Sequence, residues 1–406
     1  MAYDVFSKTN KIFASVGIYP LMNHRLRLLY TQSVLGLMIL LTMLYVVESF
    51  RLGWKSVKHE MSSLVFTVFI SSEFFTSLRR FVLRNKLTEK MRQKFCGTFK
   101  RDLKKINFQE NCIIWFWLVL MILVHIFWLL LPIIGVRNSD NPNASKRVLP
   151  QILWSPLFDL SKDPYYQLAY LIEIYIAVYY VIMSFDVATT VPIISLHIHS
   201  QMKVMAFYLK KVGRTDFKGG DEIIYTNIQN GSYVVVNRKI KRTRLHEGKL
   251  EIPLSMVQTY TEFFVKDIIK YHNVILNVTK EFTNLVHVNI IHRFTVVTVL
   301  LITVTTQINK TYSPPLAMIF VLGIVTWEFN LCLSSELIDS GNSCIFSAAY
   351  DNAWYMCTNR VRRMLRFVMC RTRAPTHMKL FKFFIVSYAL IPETLRFCYS
   401  VYILID

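Results

Sequence analysis

Seven apolar stretches separated by polar and charged intervals organise the chain: Leu28–Val47, Met61–Leu78, Ile113–Val136, Tyr166–Leu196, Phe294–Gln307, Pro315–Leu333 and Phe383–Ile405. Most approach or exceed the ~20 residues a helix needs to cross a bilayer. The pattern predicts an all-α membrane protein with seven transmembrane helices. Helical periodicity continues beyond several of these stretches. From Ser255 to Gln307 no Pro or Gly interrupts a run that is amphipathic first and apolar later, so one helix should pass from water into the membrane. The same reasoning extends the fourth span through His199–Leu209 and predicts helix over Leu337–Met369. The second interval, Arg79–Asn111, sets Leu83, Leu87, Met91, Phe95, Phe99, Leu103 and Ile106 at helical spacing and reads as an amphipathic helix lying on a membrane surface or on another helix. Residues 216–253 read as a glycine-punctuated basic connector. Arg137–Pro164, with Pro142, Pro150, Pro156 and Pro164, reads as an irregular external segment.

The basic residues are dealt unevenly among the intervals. The N-terminal segment and the second, fourth and sixth intervals hold 38 Lys and Arg, against 8 in the others. Basic residues beside spans are retained in the cytoplasm, so the N-terminus should be cytoplasmic and the C-terminus extracellular, opposite to a G-protein-coupled receptor. The long helix extensions then lie on the cytoplasmic side, where they could form an anchor bundle at which subunits meet. A formal charge of +21, placed beside spans on one face, points to anionic inner-leaflet lipids as the partner and not to nucleic acid. No cleavable signal peptide is expected, since Lys8, Lys11, Arg25 and Arg27 interrupt short apolar runs. Six of the seven cysteines fall on the cytoplasmic side and none form a CxxC pair. Neither an extracellular disulfide nor a metal or cofactor is expected. Of the glycosylation sequons, Asn143 and Asn309 should face outside, and Asn230 and Asn277 inside.

Polar residues inside apolar stretches mark places of function. Glu73, Glu173, Asp186, Arg293, Glu328, Glu393 and Arg396 each cost roughly 2.5–3.5 kcal/mol when central in a span, so they should face protein or water. Glu393 and Arg396, three apart on one helix, could also simply neutralise one another. The outer halves of spans two, three, four and six supply Phe66, Phe69, Glu73, His125, Trp128, Tyr170, Tyr175, Tyr179, Met318 and Phe320. This mixture suits an apolar pocket with a few polar handles, although aromatics also line ordinary helix contacts. On the last span Phe397, Ser400, Val401 and Leu404 form one stripe. Four copies around an axis would make Val401 and Leu404 an apolar constriction that gates by dewetting, with Asp406 at the outer mouth favouring cations.

The strings Ala349-Tyr350, Trp354-Tyr355, Arg362-Arg363-Met364-Leu365, Arg371-Thr372-Arg373-Ala374-Pro375 and Cys398-Tyr399-Ser400, in this order and spacing, resemble the C-terminal signature of insect odorant receptors. Pro156, Asp159, Pro164 and Tyr165 before the fourth span agree, as do Leu196-His197-Ile198 and Gln201 at its inner end. The chain departs from the family's usual Ala-Gly-Lys with Thr376-His377-Met378-Lys379-Leu380. The resemblance implies a tetrameric, odorant-gated, nonselective cation channel in the plasma membrane of olfactory neuron dendrites. It implies an outer pocket for a volatile ligand, a pore lined by the last helix and a cytoplasmic anchor. On that reading, residues 1–336 form a six-helix transmembrane domain and 337–406 an anchor helix followed by the pore helix. The family's coreceptor subunits carry an insertion in the second cytoplasmic loop that is missing here, which makes this chain resemble a ligand-tuning subunit partnered by a coreceptor. A metabotropic receptor fits the charge parity poorly, and a gustatory-type receptor shares the architecture without the two strings at 349–355 and 371–375. An enzyme or transporter lacks any nucleophile–base motif, phosphate loop or internal repeat to support it.

Overall fold

The structure is a computed structural model and describes residues 83–95, 100–137, 163–214, the strands and adjoining residues between 216 and 253, 257–307, 314–380 and 384–405. Apart from Gly36, the first two predicted spans lie outside the described residues. Helix α1 covers residues 83–94, α2 Lys100–Arg137, α3 Tyr165–Lys210, α4 Val257–Gln307, α5 Pro314–Tyr350, α6 Asn359–Thr372 and α7 Leu390–Ile405. The uninterrupted run after Ser255 thus becomes a helix of 51 residues, roughly 75 Å long. Helix α5 opens on Pro314-Pro315, where the missing N–H groups have no helical acceptor to lose.

Helix α3 sits at the centre, packed against α2, α4 and α5. Its inner half is buried along Ile194, Ile198, Met202, Met205 and Leu209, a stripe at helical spacing. Facing stripes come from Ile268, Ile275 and Phe282 of α4 and from Leu331, Ile338 and Ile345 of α5. Helix α6 closes this core with Val361, Leu365 and Val368 and begins at a Thr358 cap, whose Oγ1 accepts from the Val361 N–H at 3.4 Å. Helix α7 rests on α4 and α5.

Helix α2 is apolar on both sides. Ile114, Trp117 and Met121 are buried, whereas Trp115, Val119, Ile122 and Ile126, spaced along the other face, are exposed. Among the described residues, Lys104–Leu123 is the one helical segment long and apolar enough to cross a membrane by length and composition, and most of it is left uncovered by protein.

Four sequence expectations are corrected. Residues 216–253 form an antiparallel five-stranded meander, β1 Asp216–Lys218, β2 Asp221–Tyr225, β3 Tyr233–Asn237, β4 Arg242–Leu245 and β5 Gly248–Pro253, which adds a small sheet to the helical fold. The β-branched run Val234-Val235-Val236 pairs with Glu222–Ile224. Gly231, at φ +63°, supplies the left-handed residue in the turn between them. The helix expected over Leu337–Met369 breaks between α5 and α6. Asp351 and Asn352 end one helix, Trp354–Met356 makes a 3₁₀ turn, and Thr358 starts the next. The amphipathic run Arg79–Asn111 is divided between α1 and α2 and is not one helix, while its Leu87, Met91, Phe95 and Ile106 are buried in the core, in keeping with the expected packing on other helices. Finally, the last helix starts at Leu390 and not at Phe383. It follows a short hairpin of β6 Lys379–Leu380 and β7 Phe384–Ile385, and its 16 residues span about 24 Å.

Candidate functional site

The pocket residues expected from sequence divide among several helices. His125 and Trp128 lie on α2, Tyr170, Tyr175 and Tyr179 on α3, and Met318 and Phe320 on α5. Tyr170 is half-buried and stacks on Tyr166 with ring centroids 6.1 Å apart. The side chains of the other six, and the whole of Phe66, Phe69 and Glu73, lie outside the described residues. The three helices are mutual neighbours: α3 packs on both α2 and α5, and Trp117 of α2 meets Trp327 of α5 edge-to-face at 5.3 Å.

The stripe expected to line a pore lies on α7. Phe397 is 56% exposed. Ser400 is exposed too, its Oγ donating to the Arg396 carbonyl one turn back at 3.0 Å. Val401 and Leu404 follow on the same helix, their side chains outside the described residues. Tyr399 and Ile403 are also exposed, so α7 leaves much apolar surface bare in a single chain. Glu393 and Arg396 are exposed on α7, and among the described ion pairs none joins them. Glu328 meets the expectation for a span carboxylate, being buried against protein.

Between the pocket helices and α7 lies a set of polar contacts. Pro192 stands inside α3 and has no N–H, which removes the ordinary helical donor to the Ala188 carbonyl four residues before it. Asn330 of α5 supplies the substitute: its Nδ2 donates to the Ala188 oxygen at 2.9 Å, buried. One turn or more below, His199 of α3 bonds the Leu337 carbonyl through Nδ1 at 2.8 Å. Burial holds the His199 pKa down at about 4, with Lys203 adding to the depression, so the ring is neutral and Nδ1 carries the proton it donates. His272 of α4 is held down at about 4 by burial and by Arg371. Gly341 lets α5 and α3 touch: a Cβ there would sit 2.5 Å from Met202 Sδ and 3.2 Å from His199 Nδ1. Glu110 of α2 pairs with His197 of α3, Tyr271 of α4 donates to Gln201, and Lys90 of α1 pairs with Glu281 of α4.

Sequence reasoning missed the arrangement that leads into α7. Ser335, Asp339 and Asn342 lie along one face of α5 at i, i+4 and i+7. Asn342 Nδ2 donates to the carbonyls of Thr372 at 2.8 Å and Ala374 at 3.1 Å. Asp339 Oδ1 accepts from the Thr376 N–H at 2.7 Å, and Ser335 Oγ accepts from the Met378 N–H at 2.8 Å. His377 Nε2 lies 3.5 Å from the other Asp339 oxygen. The Met378 carbonyl in turn accepts from the Val386 N–H at 2.9 Å, and Tyr388 stacks on Phe329 of α5 at 5.4 Å, two residues before α7 begins. The polar spacing of Ser335, Asp339 and Asn342 was the available signal. Among the described residues no group of His, Cys, Asp and Glu is placed to hold a metal. These contacts can lock helices together and transmit their movements.

The overall arrangement is that of solved insect olfactory receptors. The chain superimposes on OR5 from Machilis hrabei with a TM-score of 0.68 at 13% identity, covering 98% of this chain and 96% of that one. Against the same receptor in complex with eugenol the score is 0.62 at 14% identity, again over 98% and 96%. The protein therefore has the helical fold of an insect olfactory receptor. The family model for the 7tm odorant receptor matches residues 63–399, and the chain belongs to that family. No match is found among curated protein sequences.

Proposed function

We propose that this odorant receptor is the ligand-tuning subunit of an odorant-gated, nonselective cation channel in the dendritic membrane of an olfactory neuron. The supporting observation is the extent of the family match. Residues 63–399 run from the second predicted span into α7, so they include the helices assigned to the pocket and most of the last helix. A volatile, mostly apolar molecule binds among α2, α3, α5 and the second span, with Phe66, Phe69, Glu73, His125, Trp128, Tyr170, Tyr175, Tyr179, Met318 and Phe320 as its contacts. It opens the channel by binding the open state better than the closed one. Phe397, Ser400, Val401 and Leu404 line a pore shared by four subunits, one or more of them a coreceptor. The uncovered apolar faces of α2 and α7 fit lipid and neighbouring subunits, and the charge parity supports a cytoplasmic N-terminus. Residues 1–336 carry the six-helix domain and 337–406 the anchor and pore helices.

The test is whole-cell current from cells expressing this chain with and without an insect coreceptor, under a panel of volatile esters, terpenes, alcohols and phenols that includes eugenol. A cation current evoked only when both chains are present is the expected result. A current from this chain alone would overturn the tuning role. A slow response abolished by G-protein blockade would overturn the channel.

A further inference from the structure

We propose that Ser335, Asp339 and Asn342 of α5 are positioning residues that tie the lead-in of α7 to α5, so that the two helices move as one during gating. The inference rests on the channel reading for its functional consequence and on the hydrogen bonds alone for the link itself.

The geometry favours a joint over incidental contact. The lead-in runs back along α5 in the opposite direction: residue 342 holds 372 and 374, residue 339 holds 376, and residue 335 holds 378. One turn of helix rises ~5.4 Å and two residues of unwound chain span about 6.5 Å, so each turn of α5 meets every second residue of the lead-in. Both strands of the joint are buried where it matters, since Ser335, Asn342 and Met378 are all in the interior. Past Met378 the link continues through the Val386 N–H to the start of α7, where the Tyr388 ring lies on Phe329 of α5.

The upper end of α5 carries Met318 and Phe320, and the helix is continuous from Pro314 to Tyr350. A shift of α5 at the pocket level therefore reaches residues 335–342. There the hydrogen bonds leave the lead-in no independent position. Gly341, pressed on Met202, holds the same segment of α5 against α3. Movement of α5 along its axis is thus passed to the chain that enters α7, alongside the contacts that tie the same segment to α3 and to the end of α6.

The acceptor at 339 is what the joint needs, and its charge is not. Asp339→Asn keeps an oxygen for the Thr376 N–H, whereas Asp339→Leu removes it. Hydrogen–deuterium exchange on the purified full-length chain reads the joint without any ligand. The Leu variant should raise exchange across 374–380 and also across the first turns of α7, by roughly tenfold, about what losing one hydrogen bond gives. The Asn variant keeps the Thr376 bond and changes only the contact with His377, so its exchange should stay much closer to the wild type than that of the Leu variant. Faster exchange confined to 374–380 would overturn the proposal, as would equal effects of Asn and Leu. Ser335→Ala against Ser335→Thr gives the same comparison at Met378 if Asp339→Leu fails to fold. In cells with the coreceptor, the Leu variant should lower the maximal current evoked by the panel at unchanged surface expression. An unchanged maximal current, with a wild type that does respond, would overturn the gating role. A wild type silent to the whole panel counts against the channel reading, while the exchange experiment still decides the joint.

Discussion

Replacing Asn330 tests whether α5 repairs the break that Pro192 makes in α3. In the wild type the Ala188 carbonyl has lost its helical donor and receives the Asn330 amide at 2.9 Å instead. Asn330→Leu would leave that carbonyl buried without a donor. An orphaned buried acceptor costs roughly 1–3 kcal/mol. Hydrogen bonds between membrane helices average nearer ~0.6 and reach ~1.7 kcal/mol. The expected loss is therefore about 1–2 kcal/mol. In a Pro192→Ala background, residue 192 regains an N–H aimed at the same carbonyl, and Asn330 becomes dispensable. Asn330→Leu should then cost about 1 kcal/mol less than in the wild type, a coupling within the usual range for residues sharing a partner. Thermal melting of the detergent-purified chain, followed by helical circular dichroism for the four proteins of the cycle, measures it. Equal losses in both backgrounds, or no loss in either, would refute the assignment.

The buried histidines should make stability fall on acidification. His199 and His272 are held at about 4 against an ordinary 6.5, so the unfolded chain binds more protons between those values. Their contribution is complete above pH ~6.5 and is lost progressively toward pH 4, by up to about 3 kcal/mol each. Melting temperatures across that range should drop, and His272→Phe should flatten the slope because it removes one of the two titrating rings, whose Nε2 has no hydrogen-bond partner among the described residues. Gly341→Ala should destabilise by about 1–3 kcal/mol through overpacking against Met202, and Met202→Ala should recover part of that loss in the same melting assay. Glycosidase treatment of the chain from insect cells should shift its gel mobility, and Asn143→Gln combined with Asn309→Gln should abolish the shift while Asn230→Gln combined with Asn277→Gln leaves it. The reverse pattern would invert the topology.

Elements governed by local periodicity were legible in the sequence. The run from Ser255 to Gln307 contains nothing that ends a helix, and α4 occupies nearly all of it. The extension of the fourth span through Leu209 followed for the same reason, since His199 to Leu209 continue the buried stripe of α3. The sheet at 216–253 was hidden by its glycines and charges, although Asn230-Gly231 ahead of three valines is a hairpin signal. The break at Asp351–Thr358 was written in polar stop and cap residues but masked by the apolar spacing on either side. Contacts across helices are a different matter. Pro192 announces an orphaned carbonyl, yet nothing local says that Asn330, 138 positions later, will answer it. Likewise Ser335, Asp339 and Asn342 share a visible face, but what that face meets depends on where the chain returns after α6. Of the pocket residues only Tyr170 has a described side chain, and the spacing of Tyr166 and Tyr170, four apart on one helix, already brings the two rings together.

All the hydrogen bonds by which Ser335, Asp339 and Asn342 grip the lead-in to α7 end on main-chain groups, which every residue type carries apart from the N–H that proline lacks. The hydrogen bonds themselves thus ask only for main-chain groups on the side they hold, while Met378 is fixed separately by burial in the core and His377 by its contact with Asp339. The two sides of these hydrogen bonds therefore answer to different tests: a substitution at Thr376 keeps its bond unless it brings in proline, whereas a substitution at Ser335, Asp339 or Asn342 that takes away the polar group removes the bond with the side chain.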